Sequence, residues 1–201
     1  MPLVSKKIQP KRKYNFKVVK LSDTELFAKT AQTLADGKVV GWYQGRMEFG
    51  PRALGNRSIL ADPRIVNMRD LLNQKIKHRE MFRPFAPAVK QENARDYFDM
   101  DCEQSPFMLK VFPVREEKKK TIPAVTHVDG TARVQTVSST DHPRFWNLIH
   151  AFEKITGLPM LLNTSFNEHE PIVCSPDEAI ACFQKTNMDL LVLDQYILER
   201  N

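Results

Sequence analysis

The sequence predicts one domain of the α/β or α+β class, built on a mixed sheet. The 201 residues are enough for one substantial core, and 42% hydrophobic and 27% charged residues are ordinary for a globular chain. Short apolar runs typical of strands mix with amphipathic segments typical of helices along the whole chain. Their spacing is irregular, which favours a mixed sheet over a regular doubly wound one.

The first elements have clear boundary signals. Ser22 opens the sequence S-D-T-E, a capping box that starts a helix, and Gly37 ends that helix. Residues 38–43 have the pattern of a buried strand. Residues 44–57 contain three glycines and a proline, so they are predicted to form a loop before a short strand at residues 58–61.

The next segment combines a helix signal with a proline inside a strand. Asp62 and Pro63 are typical of an N-cap followed by the first helical position, which predicts a helix from there to about Lys77. Residues 85–89 have the pattern of a strand, and Pro87 favours a place at the edge of the sheet.

The second half contains two further helices with strong signals. Asp141 is predicted to cap a helix whose apolar face includes Ile155, and Ser175 opens a second capping box for a helix that runs to about Lys185. The other predicted elements are a short helix at residues 92–98 and strands at residues 108–114, 132–137, 159–162 and 190–193.

The net charge of +6 is concentrated in two blocks. Residues 1–20 hold seven Lys or Arg and no acid, and residues 46–83 hold nine Lys or Arg and four acids. We interpret residues 1–20 as a basic linker or tail and residues 21–201 as the domain; a nucleic-acid-binding arm is the alternative for the tail. The second block lies inside the fold and indicates an anionic ligand.

Several classes of protein are excluded by missing signals. No apolar run approaches the roughly 20 residues needed to span a bilayer, and the N-terminus has no apolar secretory region. Three cysteines without a C-x-x-C spacing indicate reduced thiols and a cytoplasmic protein. The glycine spacing matches neither a Walker A loop nor a dinucleotide fingerprint, and no metal ligands are predicted.

Two stretches concentrate cations in patterns that suit phosphate binding. The loop G-R-M-E-F-G-P-R-A-L-G-N-R-S carries Arg46, Arg52 and Arg57, and Glu48 is expected to orient one of them. The alternative is a solvated loop whose arginines pair with acids. The second stretch, K-I-K-H-R-E-M-F-R-P-F-A-P, carries Lys75, Lys77, Arg79 and Arg83, and the favourable helix C-terminus explains only one or two of these cations.

Two later stretches add polar groups. T-H-V-D-G-T-A-R-V-Q-T contains His127, Arg133 and Gln135, and its Asp129 is interpreted as stabilising a turn. L-N-T-S-F-N places Asn163 and Ser165 at the end of an apolar strand, where ligands bind in α/β folds.

These four motifs, in this order, resemble the C-terminal region of the O-carbamoyltransferases of the NodU/TobZ type, from about residue 22 to residue 199. The resemblance implies a YrdC-like twisted mixed sheet with flanking helices and a basic cavity. It also implies that the domain condenses carbamoyl phosphate with ATP, aided by Mg²⁺, to carbamoyl adenylate and pyrophosphate. A separate N-terminal domain of the actin/Hsp70 superfamily would then transfer the carbamoyl group to an acceptor hydroxyl.

Carried over motif by motif, the resemblance implies roles for eleven residues. The groups expected to be catalytic are Arg52, Lys77 and Arg83. Expected substrate and nucleotide contacts are Arg46, Arg57, Arg79, His127, Arg133, Gln135, Asn163 and Ser165.

The sequence departs from the family in one respect: no N-terminal domain precedes residue 22, so the chain is expected to be an excised domain or a subunit that needs a partner. Two other functions stay open. A basic RNA-binding domain would show steeply salt-dependent binding, although the motifs lack interleaved exposed aromatic residues. A non-catalytic nucleotide-binding module would bind ATP without activity of its own. Neither a membrane nor a nucleic acid is the expected partner.

Overall fold

The computed structural model describes residues 16–78 and 83–200, which form a mixed sheet with helices on both faces. The strands are β1 (Phe16–Lys20), β2 (Val40–Tyr43), β3 (Arg57–Ala61), β4 (Ala86–Lys90), β5 (Phe112–Pro113), β6 (Thr131–Ala132), β7 (Gln135–Val137), β8 (Met160–Ser165), β9 (Leu190–Leu193) and β10 (Tyr196–Arg200). Eight of these described strands form the main sheet in the order β1-β10-β9-β2-β3-β8-β4-β7, and β5 pairs with β6 in a separate ribbon. The predicted mixed sheet is confirmed.

The helices are α1 (Asp23–Ala35), α2 (Met68–Leu72), α3 (Ala94–Tyr97), α4 (Pro143–Thr156) and α5 (Pro176–Lys185), with a π-helical turn at Asn73–Lys77. Short 3-10 turns lie at Gln91–Asn93, Glu116–Lys118 and Pro123–Val125. Both predicted capping boxes are confirmed: Ser22 and Ser175 each accept the backbone N–H of the glutamate three residues on, and that glutamate accepts the serine N–H in return. No helix among the described residues is long and apolar enough to cross a membrane.

Alternating side chains of β2 show which helices cover each face of the sheet. Trp42 packs on Phe27 of α1, with ring centroids 6.4 Å apart, and α1 packs against α4. Successive strand residues point to opposite faces. Tyr43 therefore points to the other face, where its hydroxyl donates to the carbonyl of Cys174 just before α5.

The pairing directions bring several strand ends to one edge of the main sheet. Tyr43, the last residue of β2, is paired with Arg57, the first residue of antiparallel β3. Ser165 ends β8 opposite the start of β3, and Ala86 begins β4 opposite the end of β8. Gln135 begins β7, which runs parallel to β4. We call this edge, where β2 and β8 end and β3, β4 and β7 begin, the site end.

The predicted helix start at Pro63 is wrong. The Asp62 carboxylate accepts the backbone N–H of Arg64 at 2.9 Å and also binds the Arg64 guanidinium, with a shortest distance of 2.6 Å. This local turn satisfies the aspartate without a helix, and regular helical structure begins at Met68.

Three predicted strands also differ from the structure. Pro87 does not lie at an edge, because β4 lies between β8 and β7; the pairing with β7 begins one residue later, at Ala88. The predicted strand at residues 108–114 is reduced to β5, since Met108 has a φ of 52°. The predicted strand at residues 132–137 is divided between β6 and β7, which belong to different sheets.

The remaining differences concern the two ends of the chain and α4. The α4 N-cap is His142 rather than Asp141, and Ile155 is 46% exposed instead of buried. Strand β10 follows the last predicted strand. Residues 16–20, assigned to the basic tail from the sequence, form edge strand β1 beside β10, and residues 1–15 lie outside the described part of the chain.

Candidate functional site

All four predicted motifs adjoin the site end. The loop at residues 44–56 joins β2 to β3, and Arg83 lies just before β4. Arg133 lies two residues before β7, and Ser165 is the last residue of β8. Lys77, at the end of the π-helical turn, contacts Ser165. The fold thus brings together residues that are more than a hundred positions apart in sequence.

Glu48 closes the arginine-rich loop on itself. One carboxylate oxygen, Oε1, accepts the backbone N–H of Leu54 at 2.7 Å and of Asn56 at 2.8 Å. The sequence analysis expected Glu48 to orient an arginine side chain, whereas its hydrogen bonds go to backbone groups. The carboxylate supplies hydrogen-bond acceptors for backbone N–H groups of the loop that are not paired within a strand. It thereby fixes the path of the chain next to Arg52.

Arg57 is a structural anchor of the same loop. Only 3% of the residue is exposed, and its guanidinium donates to the carbonyls of Gln44 at 2.7 Å, Asn56 at 2.9 Å and Gly45 at 3.1 Å. It also stacks on Tyr43, 3.5 Å from the ring centroid. Burial lowers the pKa of Arg57, although the nearby Tyr43 and Glu48 oppose that shift. Arg57 was predicted to contact a ligand. In the structure its guanidinium donates these hydrogen bonds to backbone carbonyls of the protein.

Asn163 and Gln135 support the loop from below. The Asn163 amide donates to the Ala53 carbonyl at 3.1 Å and to the Gln135 side-chain oxygen at 2.8 Å. The Gln135 amide donates to the Leu54 carbonyl at 2.7 Å. Both side chains were expected to contact a ligand directly. In the structure they hold the backbone that follows Arg52.

Lys77, Ser165 and Asn167 form a compact polar group. The Lys77 ammonium lies 2.7 Å from the Ser165 carbonyl, 2.7 Å from the Asn167 carbonyl and 2.8 Å from Asn167 Oδ1. The Ser165 hydroxyl donates to Asn167 Oδ1 at 2.7 Å. Lys77 is buried. These hydrogen bonds hold the Lys77 ammonium at the end of β8.

A second group, which we call the arginine–histidine cluster, consists of Arg52, Arg69, His127 and Arg133. Burial first, and then the charge of Arg52, lowers the pKa of Arg133. Burial is also the main cause that lowers the pKa of His127; Arg133 and Arg69 add to the shift, and Asp129 opposes it. None of the described carboxylates lies at ion-pairing distance from the three arginines.

Two buried nitrogen atoms of this cluster lack partners. Arg133 Nε and His127 Nε2 are both inaccessible to solvent and have no hydrogen-bond partner among the described residues. Buried polar groups in native proteins are nearly always paired, so orphaned atoms in a cationic group indicate a ligand. The arrangement suits an anion that carries several acceptor oxygens.

Two of the predicted cations, Arg46 and Arg83, contribute less to this arrangement. Arg46 is exposed, and its backbone carbonyl accepts the Asn56 side chain at 2.9 Å. Arg83 is exposed next to β4. Arg79 lies outside the described residues.

The structure adds two residues that the sequence analysis missed. Asn167 follows Ser165 by two positions in the quoted L-N-T-S-F-N motif, and this spacing in extended chain places two side chains on one side. That signal was available in the sequence. Arg69 had no signal of this kind, because a single arginine in a short helix is ordinary.

The buried Cys182 is a neutral thiol rather than a thiolate nucleophile. Burial, followed by the Glu170 carboxylate, raises the pKa of the Cys182 thiol to about 12. The charge of Lys77 opposes this shift but is the smaller effect. At neutral pH Cys182 is therefore a neutral thiol. Within the same residues no three His, Cys, Asp or Glu side chains are grouped as they would be to hold a metal ion.

A mixed sheet flanked by helices, with several cations gathered at one end, defines a mixed α/β domain. A family model described as carbamoyltransferase C-terminus matches residues 31–200. The chain belongs to this carbamoyltransferase family.

Relatives agree with the family assignment over most of the chain. The nodulation protein NolNO of Sinorhizobium fredii is 52% identical over 179 residues, which cover 88% of this chain and 26% of NolNO. The 3'-hydroxymethylcephem-O-carbamoyltransferase of Amycolatopsis lactamdurans is 44% identical over 165 residues, covering 81% of this chain and 31% of that enzyme. The chain thus spans about a quarter to a third of the length of these curated relatives.

Solved structures share the fold at low sequence identity. Sua5 of P. abyssi, complexed with L-threonine, aligns with a TM-score of 0.62 and 15% identity over 88% of this chain and 48% of Sua5. Full-length HypF in a phosphate- and nucleotide-bound form aligns with a TM-score of 0.58 and 17% identity over 92% of this chain and 22% of HypF. The expected YrdC-like fold is confirmed.

Proposed function

We propose that this chain is the activating domain of an O-carbamoyltransferase, which binds ATP and carbamoyl phosphate and forms carbamoyl adenylate. Family membership supplies the carbamoyl group as substrate class. The observation that supports the proposal most directly is the arginine–histidine cluster, whose buried Arg133 Nε and His127 Nε2 have no partner among the described residues. HypF, which shares the fold, was solved with nucleotide and phosphate bound, and this supports testing the same ligands here.

The cations are needed because both substrates are anions. Two unit charges 4 Å apart repel by about 4 kcal/mol at an effective dielectric constant of 20, and ATP and carbamoyl phosphate bring several such pairs together. Arg52 and Arg133 would offset this repulsion, and fixed positive groups would also stabilise charge that develops on the leaving groups. Holding both substrates at one site also lowers the entropic part of the activation barrier.

The proposed reaction consumes one water molecule. Water and carbamoyl phosphate yield carbamate and phosphate, and the carbamate oxyanion then attacks the α-phosphorus of ATP. A carbamoyl oxygen–phosphorus bond forms, the bond between the α- and β-phosphates breaks, and pyrophosphate leaves with the electron pair. The attacking oxygen is already ionised, so that step needs no general base, which agrees with a site made of cations.

The described residues do not form a cluster of carboxylates or other ligands that would bind Mg²⁺ directly. Because the described residues contain no group of three potential metal ligands, we expect Mg²⁺ to arrive bound to the ATP phosphates, as is common for this ion, and we derive no step through it.

Transfer of the carbamoyl group to an acceptor hydroxyl is assigned to a separate N-terminal actin/Hsp70-like domain. The chain spans only a quarter to a third of its curated relatives, which leaves room in them for such a domain. We therefore expect the isolated chain to release pyrophosphate but not to carbamoylate an acceptor.

The test is pyrophosphate release from ATP and carbamoyl phosphate by the wild-type chain and Arg52→Ala. Arg52 is exposed, so its removal should leave the folded state intact while lowering kcat/KM at least tenfold. Titration calorimetry with ATP and Mg²⁺ should show the matching loss of affinity.

Arg95→Ala is the matched control, because Arg95 is an exposed arginine of α3, beyond the opposite end of β4. It should leave both measurements unchanged. Unchanged kinetics in Arg52→Ala, or an equal loss in both variants, would remove Arg52 from the site. Tight ATP binding without any turnover would favour a non-catalytic nucleotide-binding module.

A further inference from the structure

The hydrogen bonds of His127 fix its tautomer. Its Nδ1 lies 3.0 Å from the Thr131 hydroxyl oxygen, and that hydroxyl donates its hydrogen to Asp129 Oδ1 at 2.7 Å. A hydroxyl has one hydrogen to donate. Thr131 therefore accepts from His127, and Nδ1 carries the imidazole proton. In the neutral ring, Nε2 is then a bare acceptor.

That acceptor is buried among positive charges. Nε2 has no hydrogen-bond partner within the described residues. The charged groups that act on His127 are Arg69 of α2 and Arg133 before β7, which lower its pKa, and Asp129 of its own turn, which raises it. Burial is the largest cause of the lowered pKa, so the free protein holds His127 neutral at neutral pH.

We propose that His127 takes up a proton at Nε2 when a doubly charged phosphate-type anion binds to Arg52, Arg69 and Arg133. The inference rests on the proposed function, because it assigns one phosphate group of those substrates to this cluster. It adds Arg69 as a ligand-binding residue and makes binding at the cluster proton-linked.

Two effects favour protonation of Nε2 when the anion is bound. A bare Nε2 lone pair repels an anionic oxygen, whereas a protonated Nε2 donates a charge-assisted hydrogen bond to it. A bound dianion also offsets the two arginines that disfavour a charged imidazole. Both effects raise the pKa of His127 in the complex above its value in the free protein.

The affinity of the cluster for the anion is therefore expected to depend on pH. Between the free and bound pKa values of His127, binding of the anion draws one proton from solution. In that window the affinity falls up to tenfold for each unit by which the pH rises, and outside the window it is constant.

The experiment uses sulfate, because it keeps two charges throughout the neutral range and any proton uptake then belongs to the protein. Nitrogen-15 NMR of the imidazoles is recorded on the full chain with and without saturating sulfate. We expect a neutral His127 protonated at Nδ1 in the free protein and a fully protonated ring in the complex. His150 serves as the internal control, since its ring stacks on Trp146 of α4 and pairs with Glu153.

Three variants separate the contributions. Arg69→Gln should raise the pKa of free His127, because a nearby positive charge is lost, and should weaken sulfate binding about tenfold. Arg95→Gln should change neither quantity. His127→Gln should bind sulfate without the pH dependence, and loss of the His127 resonances assigns them in the wild-type spectrum.

Some outcomes would overturn the inference. A free His127 that carries its proton on Nε2, or that is already charged, contradicts the tautomer argument. Sulfate binding that leaves the His127 spectrum and the bulk proton balance unchanged contradicts the linkage, and no sulfate binding at all removes the subsite. Each of these results is independent of pyrophosphate release, so the activating-domain proposal can stand when this inference fails.

Discussion

At the scale of single residues, arginines of one motif have different functions because their donors meet different partners. The Arg57 guanidinium donates to four backbone carbonyls and stacks on Tyr43. Arg52, five residues earlier, is exposed and has no acidic partner among the described residues. Removing the first should damage the loop, and removing the second should damage ligand binding. Under the proposed function, the motif therefore combines a structural role of Arg57 with a binding role of Arg52.

Arg57→Lys tests the structural role. A lysine keeps the charge but cannot reach the Gln44, Asn56 and Gly45 carbonyls together, and a buried carbonyl without a partner costs about 1–3 kcal/mol. We expect the free energy of unfolding in urea to fall by about 3 kcal/mol. Arg52→Ala, measured in parallel, should stay within about 0.5 kcal/mol of the wild type. Equal stability of Arg57→Lys and the wild type would contradict the anchoring role.

The sequence predicted which residues adjoin the site end but not which groups of the protein their side chains contact there. Arg57, Asn163 and Gln135 were expected to bind substrate, and in the structure each of them donates a hydrogen bond to the loop backbone. An arginine or amide has the same donors in either role. Its partner is decided by tertiary packing, which brings the Ala53–Leu54 carbonyls over β7 and β8. Arg69 was missed for the same reason, since only the folded chain places it near His127.

At the scale of elements, local sequence motifs predicted a helix start correctly where the side chains of the motif can form only one pattern of hydrogen bonds. Both capping boxes fixed the starts of α1 and α5. The signal at Asp62 failed because the same carboxylate can close a turn onto Arg64 and its guanidinium. The two-residue turn before β10, with Asp194 at a φ of 52°, carried no glycine to mark it.

Lys90 connects two elements through an ion pair that is mostly shielded from solvent. Its ammonium, on β4, lies 2.9 Å from Glu153 of α4 and 4.7 Å from the Trp146 ring centroid. Burial, the largest single cause, would lower the pKa of Lys90, but the hydrogen bonds and charges of Glu153 and Glu92 together outweigh it and raise the pKa. Burial, again the largest single cause, would raise the pKa of Glu153, and Lys90 and His150 together outweigh that effect and lower it.

Lys90→Met should therefore destabilise the protein by about 2 kcal/mol at neutral pH, because it leaves a half-buried carboxylate without its main partner. The lowered pKa of Glu153 means that this contribution is present above the ordinary value of 4.5 and is lost as the pH falls through the folded value. Urea denaturation at neutral and acidic pH measures the difference, which should shrink in acid.

Lys110→Met is the control, since Lys110 and Asp101 form an exposed pair 3.5 Å apart. Its effect should stay below about 0.5 kcal/mol at either pH. A loss of the same size in both variants would show that the Lys90 pair is no stronger than a surface pair.

At the scale of the whole molecule, the sheet joins the two ends of the described chain. Strand β1 pairs antiparallel with β10 along five residues, from Phe16 opposite Arg200 to Lys20 opposite Tyr196. Phe16 also packs on Phe183 of α5, with ring centroids 5.2 Å apart. A basic segment at a terminus resembles a tail in sequence, and only its remote partner shows that it completes a sheet.

The boundary of the folded domain can be tested with two truncations that differ by β1 alone. One variant lacks residues 1–15 and the other lacks residues 1–20, so the difference between them measures the strand whatever residues 1–15 contribute. Loss of the partly buried Phe16 and Val18 side chains should cost about 3 kcal/mol, and β10 becomes an unprotected edge. We expect the shorter variant to unfold at lower urea concentration and to associate at high protein concentration, whereas equal stability would place the start of the domain after residue 20, as its composition alone suggests.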